Sequence, residues 1–368
     1  MSLDGVSGLR LVITGGGTGG HLFPGLALAE ELKGFAKDME IVFIGARRGL
    51  EEKIVPGLGY RFELLDVEGL KKRKGAALLR SLVKAVFATF RAMRILRGLK
   101  PSGVIGTGSY SAGPVVLAAR LLGIKTAVIE QNAIPGLTNR FLGRFVDKVY
   151  IAFEQAAGYF PVERTILSGT PVRREIISMD PVSERSPKFT LFVFGGSQGA
   201  TAINAAFLDA AEYLTDIWHG LRVIHQTGEA GYSAAKAAYE RKGLKAELYS
   251  FIDDMAHQYA QADLAVCRAG ATTIAEVAAL GLPAILVPYP FATDAHQEMN
   301  ARCIEAKGAA IMLKQDELTG SSLARIIRRL YEDRTGLERL KHRMRELGRP
   351  GAAMTIREDF MKLLKEAA

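Results

Sequence analysis

Short apolar runs rich in Val, Ile, Leu and Phe recur along the chain, each followed by a longer stretch whose apolar residues fall three and four apart. The runs predict strands at residues 9–14, 40–45, 61–66, 103–105, 126–130 and 148–152 in the first half. In the second half they predict strands at 190–194, 222–226, 247–251, 264–267, 284–288 and 310–313. Strands this apolar, separated by helical stretches, are those of a parallel sheet covered by crossover helices. The fold class expected is α/β, with doubly wound parallel sheets.

The pattern occurs twice. Leu11-Val12-Ile13-Thr14-Gly15-Gly16-Gly17-Thr18-Gly19-Gly20-His21 is answered by Leu191-Phe192-Val193-Phe194-Gly195-Gly196-Ser197-Gln198-Gly199-Ala200. Each reads as a buried strand, a glycine turn and a helix start, the unit that points backbone N–H groups and a helix dipole at a phosphate. The repeat continues: Gly106-Thr107-Gly108-Ser109-Tyr110 is matched by Arg268-Ala269-Gly270-Ala271, each before a helix and a further strand. Pro171, Pro181 and Pro187 flank a polar stretch at 178–188 that reads as a linker. The expected organisation is two Rossmann-like doubly wound parallel-sheet domains facing across a cleft, at residues 1–172 and 173–348, with a last helix over 349–368.

Composition narrows the setting. The hydrophobic fraction of 48% and charged fraction of 24% are those of a globular protein. The two cysteines, Cys267 and Cys303, make neither a disulfide framework nor a metal spacing, and a reducing cytosol is expected. No Asp-x-Asp and no His/Cys/carboxylate cluster at ligand spacing occurs, so a metal-free mechanism is expected; no cofactor is expected either. No leader-like run opens the sequence, and no apolar stretch is long enough to span a bilayer.

The net charge of +9 is concentrated: residues 69–129 contain no Asp or Glu and twelve Lys or Arg, so the rest of the chain sums to −3. Within that region Lys71, Lys72, Arg73 and Lys74 precede an amphipathic helix over 76–97. Its apolar face holds Leu79, Leu82, Val83, Val86, Phe90 and Met93, and its basic face holds Arg80, Lys84 and Arg91. One reading is a crossover helix with that stripe on the sheet. The other is docking on an anionic membrane surface through the basic side chains. No aromatic-rich basic strand accompanies the charge, so nucleic acid is not expected as a partner.

Candidate chemistry sits at the strand ends. Gly15, Gly17 and Gly20 satisfy the dinucleotide spacing, but the second strand closes on Gly45-Ala46-Arg47-Arg48 without the acidic residue that holds a ribose. An NADP-dependent oxidoreductase is thus a minor alternative. His21 reads either as a packing residue at a helix start or as a general base, since the helix dipole disfavours an imidazolium there. Ser197, Gln198 and Gly199 are expected to start a helix that receives a diphosphate. Arg268-Ala269-Gly270-Ala271-Thr272-Thr273-Ile274-Ala275-Glu276 puts hydroxyl groups and a carboxylate behind a glycine turn, where Glu276 suits ribose hydroxyls. Asp294, Gln297 and Asn300 follow the next strand and suit sugar hydroxyls. Arg173 is expected to help helix ends meet leaving-group charge.

With these motifs assembled, the chain resembles the MurG-type glycosyltransferases, which use UDP-N-acetylglucosamine (UDP-GlcNAc) to turn lipid I into lipid II for peptidoglycan. The resemblance rests on residues 16–21, Gly108-Ser109-Tyr110-Ser111-Ala112-Gly113-Pro114, Glu130-Gln131-Asn132, Gly169-Thr170-Pro171-Val172-Arg173, residues 195–200, Phe251-Ile252-Asp253-Asp254-Met255, 267–276 and 294–301. It implies a GT-B fold, an inverting and metal-independent reaction, and a peripheral enzyme on the cytoplasmic side of the inner membrane. By similarity the donor is held by Gly17, Thr18, Gly19, Asn132, Arg173, Ser197, Gln198, Gly199, Ile252, Ala271, Thr272, Thr273, Glu276 and Gln297. The acceptor is held by Gly16, Gly20, Ser109, Tyr110 and Ser111, with Thr18 also beside its diphosphate, and the base is His21 or Glu130. Ile129 stands where the family commonly has His, and Ser109 where it has the second Gly of Gly-Gly-Tyr. The alternatives are another UDP-sugar-dependent lipid glycosyltransferase, a UDP-GlcNAc 2-epimerase and a non-catalytic membrane adaptor.

Overall fold

The computed structural model describes residues 8–47, 49–67, 76–179, 186–196 and 198–366, with backbone alone for 76–82. Strands β1 (Arg10–Thr14), β2 (Glu40–Ala46), β3 (Arg61–Leu65), β4 (Gly103–Gly106), β5 (Lys125–Glu130), β6 (Lys148–Ile151) and β7 (Thr165–Leu167) form one sheet. Helices α1 (Gly19–Phe35), α2 (Leu50–Gly57), α3 (Ala76–Leu99), α4 (Ser109–Leu121) and α5 (Leu137–Leu142) accompany it in the chain, and α6 (Arg174–Ile177) follows between the two sheets in sequence. The second sheet contains β8 (Phe189–Phe194), β9 (Leu221–Gln226), β10 (Glu247–Tyr249), β11 (Leu264–Cys267), β12 (Ala284–Leu286) and β13 (Ile311–Met312). Its helices are α7 (Thr201–Ala210), α8 (Glu229–Lys242), α9 (Met255–Gln261), α10 (Ala271–Leu280), α11 (His296–Ala306), α12 (Gly320–Glu332) and α13 (Arg334–Leu347), and α14 (Ala352–Lys365) ends the chain. Two compact units result: Met1–Arg174 with Pro350–Ala368, and Glu175–Arg349.

Both sheets are parallel throughout. Their strand orders are β3-β2-β1-β4-β5-β6-β7 and β10-β9-β8-β11-β12-β13. Each order reverses beside its first strand, between β1 and β4 and between β8 and β11. Crossovers depart in opposite directions there and leave a crevice at the carboxyl ends, the place where such sheets bind ligands. Both glycine loops open onto these switch points.

Alternation along the strands builds the layers of the first unit. Leu11, Ile13, Ile41, Phe43, Ile105 and Ile129 pack with α1 and with Ile356, Phe360 and Met361 of α14. Val12, Val42, Ile44, Val104 and Val128 point the other way, into a core shared with α3 and α4. Asp359 latches α14 to the sheet, pairing with Lys148 Nζ at 3.0 Å and accepting from the Tyr150 hydroxyl at 2.8 Å. Burial, with Asp359 alongside, pushes the Tyr150 phenol well above its ordinary range.

Two differences from the sequence reading have physical causes. The short edge strand β7 was not expected, because three half-buried residues carry too little periodicity to be seen. On α3 the expected stripe is not the packed one: Ala88, Ala92, Leu96 and Leu99 are buried, whereas Val83, Val86 and Phe90 are exposed. Small Ala88 and Ala92 let α3 lie close to Val115, Ala118 and Ala119 of α4, and close approach outweighs side-chain size in choosing the buried face.

Candidate functional site

In the first unit the glycine loop Gly15–Gly20 leads straight into α1, whose first residue is Gly19. His21 therefore lies in the first helical turn, half-buried. Its Nδ1 is 2.9 Å from the carbonyl oxygen of Thr107, which follows β4, and the Thr107 hydroxyl donates back to the His21 carbonyl at 2.7 Å. Gln131 Nε2 donates to the same Thr107 oxygen at 2.8 Å. A carbonyl only accepts, so Nδ1 bears the hydrogen and Nε2 is the lone-pair nitrogen of the neutral ring. Gly108, at φ +96, packs on this ring: a β-carbon there would lie 2.8 Å from Nδ1.

Glu130 is 1% exposed and is held by four donors. Asn132 N and Nδ2 reach one oxygen at 2.9 and 3.1 Å, while Gly136 N and Asn139 Nδ2 reach the other at 3.1 and 2.9 Å. Its carboxylate thus organises the loop after β5. Ser109 and Ser111 share a 2.8 Å hydroxyl bond at the start of α4, and Tyr110 beside them is exposed. Ser109 adopts φ +70, a left-handed backbone normally left to glycine. Arg173, assigned from sequence to the donor, lies in this unit, its guanidinium 4.9 Å from the Phe23 ring of α1.

In the second unit Gly270 caps α10, Thr272 and Thr273 sit half-buried in its first turn, and Ala271 is buried. Glu276, 6% exposed, accepts from the Tyr259 hydroxyl at 2.9 Å, and Tyr259 is wedged edge-on against Phe192 and Phe194. Ile252 is buried nearby in sequence, just before α9. Gln297 Oε1 accepts from Tyr289 N at 2.9 Å, which ties α11 to the end of β12. Arg268 donates to the Val287 and Pro288 carbonyls, both at 3.2 Å, and burial lowers its guanidinium from the ordinary value. It braces neighbouring strand ends.

The second glycine loop differs from its expectation. The helix starts at Thr201, not at Ser197–Gly199, because Gly196 (φ +91) and Gly199 (φ +74) are left-handed and keep the chain out of helix. Gly199 also abuts the next loop so closely that a β-carbon would lie 2.0 Å from the Thr227 carbonyl oxygen. Beneath this contact Asn204 Nδ2 donates to that oxygen at 2.7 Å, and buried His225 bridges Asn204 Oδ1 and the Tyr239 hydroxyl.

Residues 11–151 match the glycosyltransferase family 28 N-terminal domain, and residues 190–356 match the glycosyltransferase family 28 C-terminal domain. Over 358 residues the chain is 45% identical to the UDP-N-acetylglucosamine--N-acetylmuramyl-(pentapeptide) pyrophosphoryl-undecaprenol N-acetylglucosamine transferase of Syntrophus aciditrophicus, covering 97% of this chain and 99% of that one. The chain belongs to glycosyltransferase family 28. A relative of the same name from Myxococcus xanthus is 44% identical, covering 97% and 93% of the two chains. The crystal structure of Acinetobacter baumannii MurG aligns with a TM-score of 0.79 at 32% identity, over 96% of this chain and 99% of that one. A Neisseria meningitidis UDP-GlcNAc 2-epimerase bound to UDP-GlcNAc aligns at 0.68 with 12% identity over 96% and 99% of the chains, a likeness of fold alone.

Within this family 28 chain the first crevice gathers Gly16, Gly17, Thr18, Gly19, Gly20, His21, Ser109, Tyr110, Ser111, Glu130 and Asn132 at neighbouring strand ends. In the second unit Gln198 and Gly199 follow β8, Ala271, Thr272, Thr273 and Glu276 follow β11, Gln297 follows β12, and Ile252 follows the edge strand β10. Ser197, Lys71, Lys72, Arg73, Lys74 and the side chain of Arg80 lie outside the described residues. Sequence reasoning passed over Glu51, Tyr259 and His225. Only Gly45 and Gly49 near Glu51 signalled that something bulky lies against that turn.

Proposed function

We propose that the chain transfers N-acetylglucosamine from UDP-GlcNAc to the 4-hydroxyl of the N-acetylmuramyl sugar of undecaprenyl-pyrophosphoryl-N-acetylmuramyl-pentapeptide, lipid I, forming lipid II with inversion. The observation that carries this reading is the placement of His21 at the mouth of the first glycine loop with Nε2 as its lone-pair nitrogen. In this mechanism Nε2 takes the proton of the acceptor hydroxyl as its oxygen bonds to the anomeric carbon. The bond from that carbon to the β-phosphate oxygen breaks on the opposite side, and UDP departs with the electron pair. Helix N-termini behind the second glycine loop and at Gly270 meet its charge, an effect for which loss of one donor typically costs roughly 2.7–4 kcal/mol. Glu276, held by Tyr259, takes the ribose hydroxyls, and Glu130 acts through the loop it organises.

The same reading makes the protein peripheral on the cytoplasmic face of the inner membrane, with an anionic surface as partner. No helix of the described residues is long and apolar enough to cross a membrane. What supports docking is the outward face of α3, where Phe87 and Phe90 are 70% and 64% exposed beside Lys84 and Arg91. Phe141 and Phe145 are also exposed, on and just beyond α5, which packs on α4 as α4 does on α3. An apolar patch ringed by cations suits an anionic lipid surface.

The test is transfer of labelled sugar from UDP-GlcNAc to a purified lipid I analogue. Labelled lipid II is the expected product. Donor turnover without lipid, giving an epimerised sugar nucleotide, or transfer to diacylglycerol instead, overturns the assignment.

A further inference from the structure

Glu51 has no part in the chemistry described so far, yet it is fully buried in the first turn of α2, against the underside of the first glycine loop. One carboxylate oxygen accepts from Gly17 N at 2.7 Å, and the other accepts from Ala46 N, at the end of β2, at 3.2 Å. Its niche is shaped by missing side chains. A β-carbon on Gly16 or Gly49 would fall 2.2 Å from a Glu51 carboxylate atom, and one on Gly45 would fall 2.7 Å from its γ-carbon. Three glycines from three segments thus admit one carboxylate, and that carboxylate ties the first loop to the end of β2.

A buried charge is tolerated only where hydrogen bonds replace its water, and here two backbone amides do so. The consequence for the loop is directional. Gly17 N–H faces inward to Glu51, so it is not among the amides turned to a ligand. The peptide planes that follow, through Thr18 into the first turn of α1, are fixed by that anchor. That turn carries both the helix-terminus amides and His21.

We infer that Glu51 is a positioning residue for the acceptor: by holding Gly17 N–H inward it sets the loop that receives the acceptor's diphosphate and the helix turn that carries the base. The inference rests on the proposed function, in which the first unit binds the acceptor. Glu51 touches no substrate; it acts through the loop. A glutamine in its place keeps one acceptor oxygen but turns an NH₂ group toward a second N–H donor, and alanine removes both bonds.

The experiment is steady-state transfer to a lipid I analogue by the full chain, comparing wild type, E51Q and E51A, with UDP affinity measured alongside to count folded sites. Misplacing a binding loop by about an ångström costs up to a hundredfold, so acceptor KM should rise about tenfold or more in E51A and less in E51Q. UDP affinity, assigned to second-unit residues, should stay within about twofold, a split that general destabilisation would not produce. Should E51A not fold, the E51Q split decides alone. An acceptor KM unchanged or improved in E51Q, or UDP affinity falling in step with the rise in acceptor KM, overturns the inference. Wild-type protein that makes no lipid II rejects the parent reading and this inference with it. Normal wild-type transfer with an unaltered variant rejects the inference only.

Discussion

His21 Nδ1 lies 2.9 Å from the Thr107 carbonyl oxygen, across 86 residues of chain, and this one contact decides which ring nitrogen faces away bearing a lone pair. Replacing His21 with alanine should lower turnover by about a hundred- to ten-thousandfold, the usual worth of a positioned proton acceptor. UDP affinity, read by calorimetry, should not change. A turnover near that of wild type across the pH range would remove His21 as the base.

The Tyr259–Glu276 bond should be visible in donor affinity. Removing one hydrogen bond to a charged group costs about 1.5–3 kcal/mol when the partner stays buried, part of which the ribose can replace. Tyr259→Phe is therefore expected to weaken UDP-GlcNAc binding by about three- to tenfold. Glu276→Ala should weaken it more. Equal affinities for wild type and both variants in calorimetry would contradict the ribose role.

His225 makes the second unit acid-sensitive. Burial lowers its imidazole from 6.5 to about 4. Between those values the unfolded chain holds the proton and the folded chain does not, so stability falls as pH drops through this window and levels off above 6.5. The loss at the acid end is on the order of 3 kcal/mol. The chain's single tryptophan, Trp218, lies 6.2 Å from the Tyr239 ring and reports this unit's unfolding in urea. His225→Gln, which does not titrate, should flatten the slope between pH 6.5 and 4.

Ser109 is strained at φ +70. A non-glycine residue there costs roughly 1–2 kcal/mol, against which its hydroxyl gains the bond to Ser111. Ser109→Gly should leave stability level or raise it by up to about 1 kcal/mol. Alanine, which keeps the strain and loses the bond, should lower it by about 1 kcal/mol. Thermal melts of the two variants separate the effects.

The outward face of α3 should govern vesicle binding. Phe87→Ser with Phe90→Ser ought to weaken partition onto anionic vesicles at least about tenfold, given the roughly 1.5–3 kcal/mol carried by one buried apolar side chain. Fold and turnover on detergent-dispersed acceptor should be intact, because neither ring packs in the core. Unaltered flotation would remove this face from membrane docking.

Periodicity and turn residues made much of this molecule legible in advance. The runs at 9–14 and 190–194 became β1 and β8, and the glycine-rich stretches after them became the loops at the two switch points. The place of Glu276 in the first turns of α10 was legible too, because a strand end, a glycine and a helix start follow one another directly in the chain. His21 was legible as a position but not as a tautomer. Glu130 and Asn132 were found as a motif, yet their bond to each other was not foreseeable from the motif.

What lies within one strand–turn–helix unit is dictated by neighbours a few residues away, so local pattern suffices for the α/β class, the twofold repeat and the candidate loops. Burial of Glu51 under Gly17, 34 residues off, and the choice of α3's alanine face arise from packing between segments that parallel crossovers bring together. Such contacts depend on shape and on which donors stay unpaired after folding. Spacing along the chain carries neither.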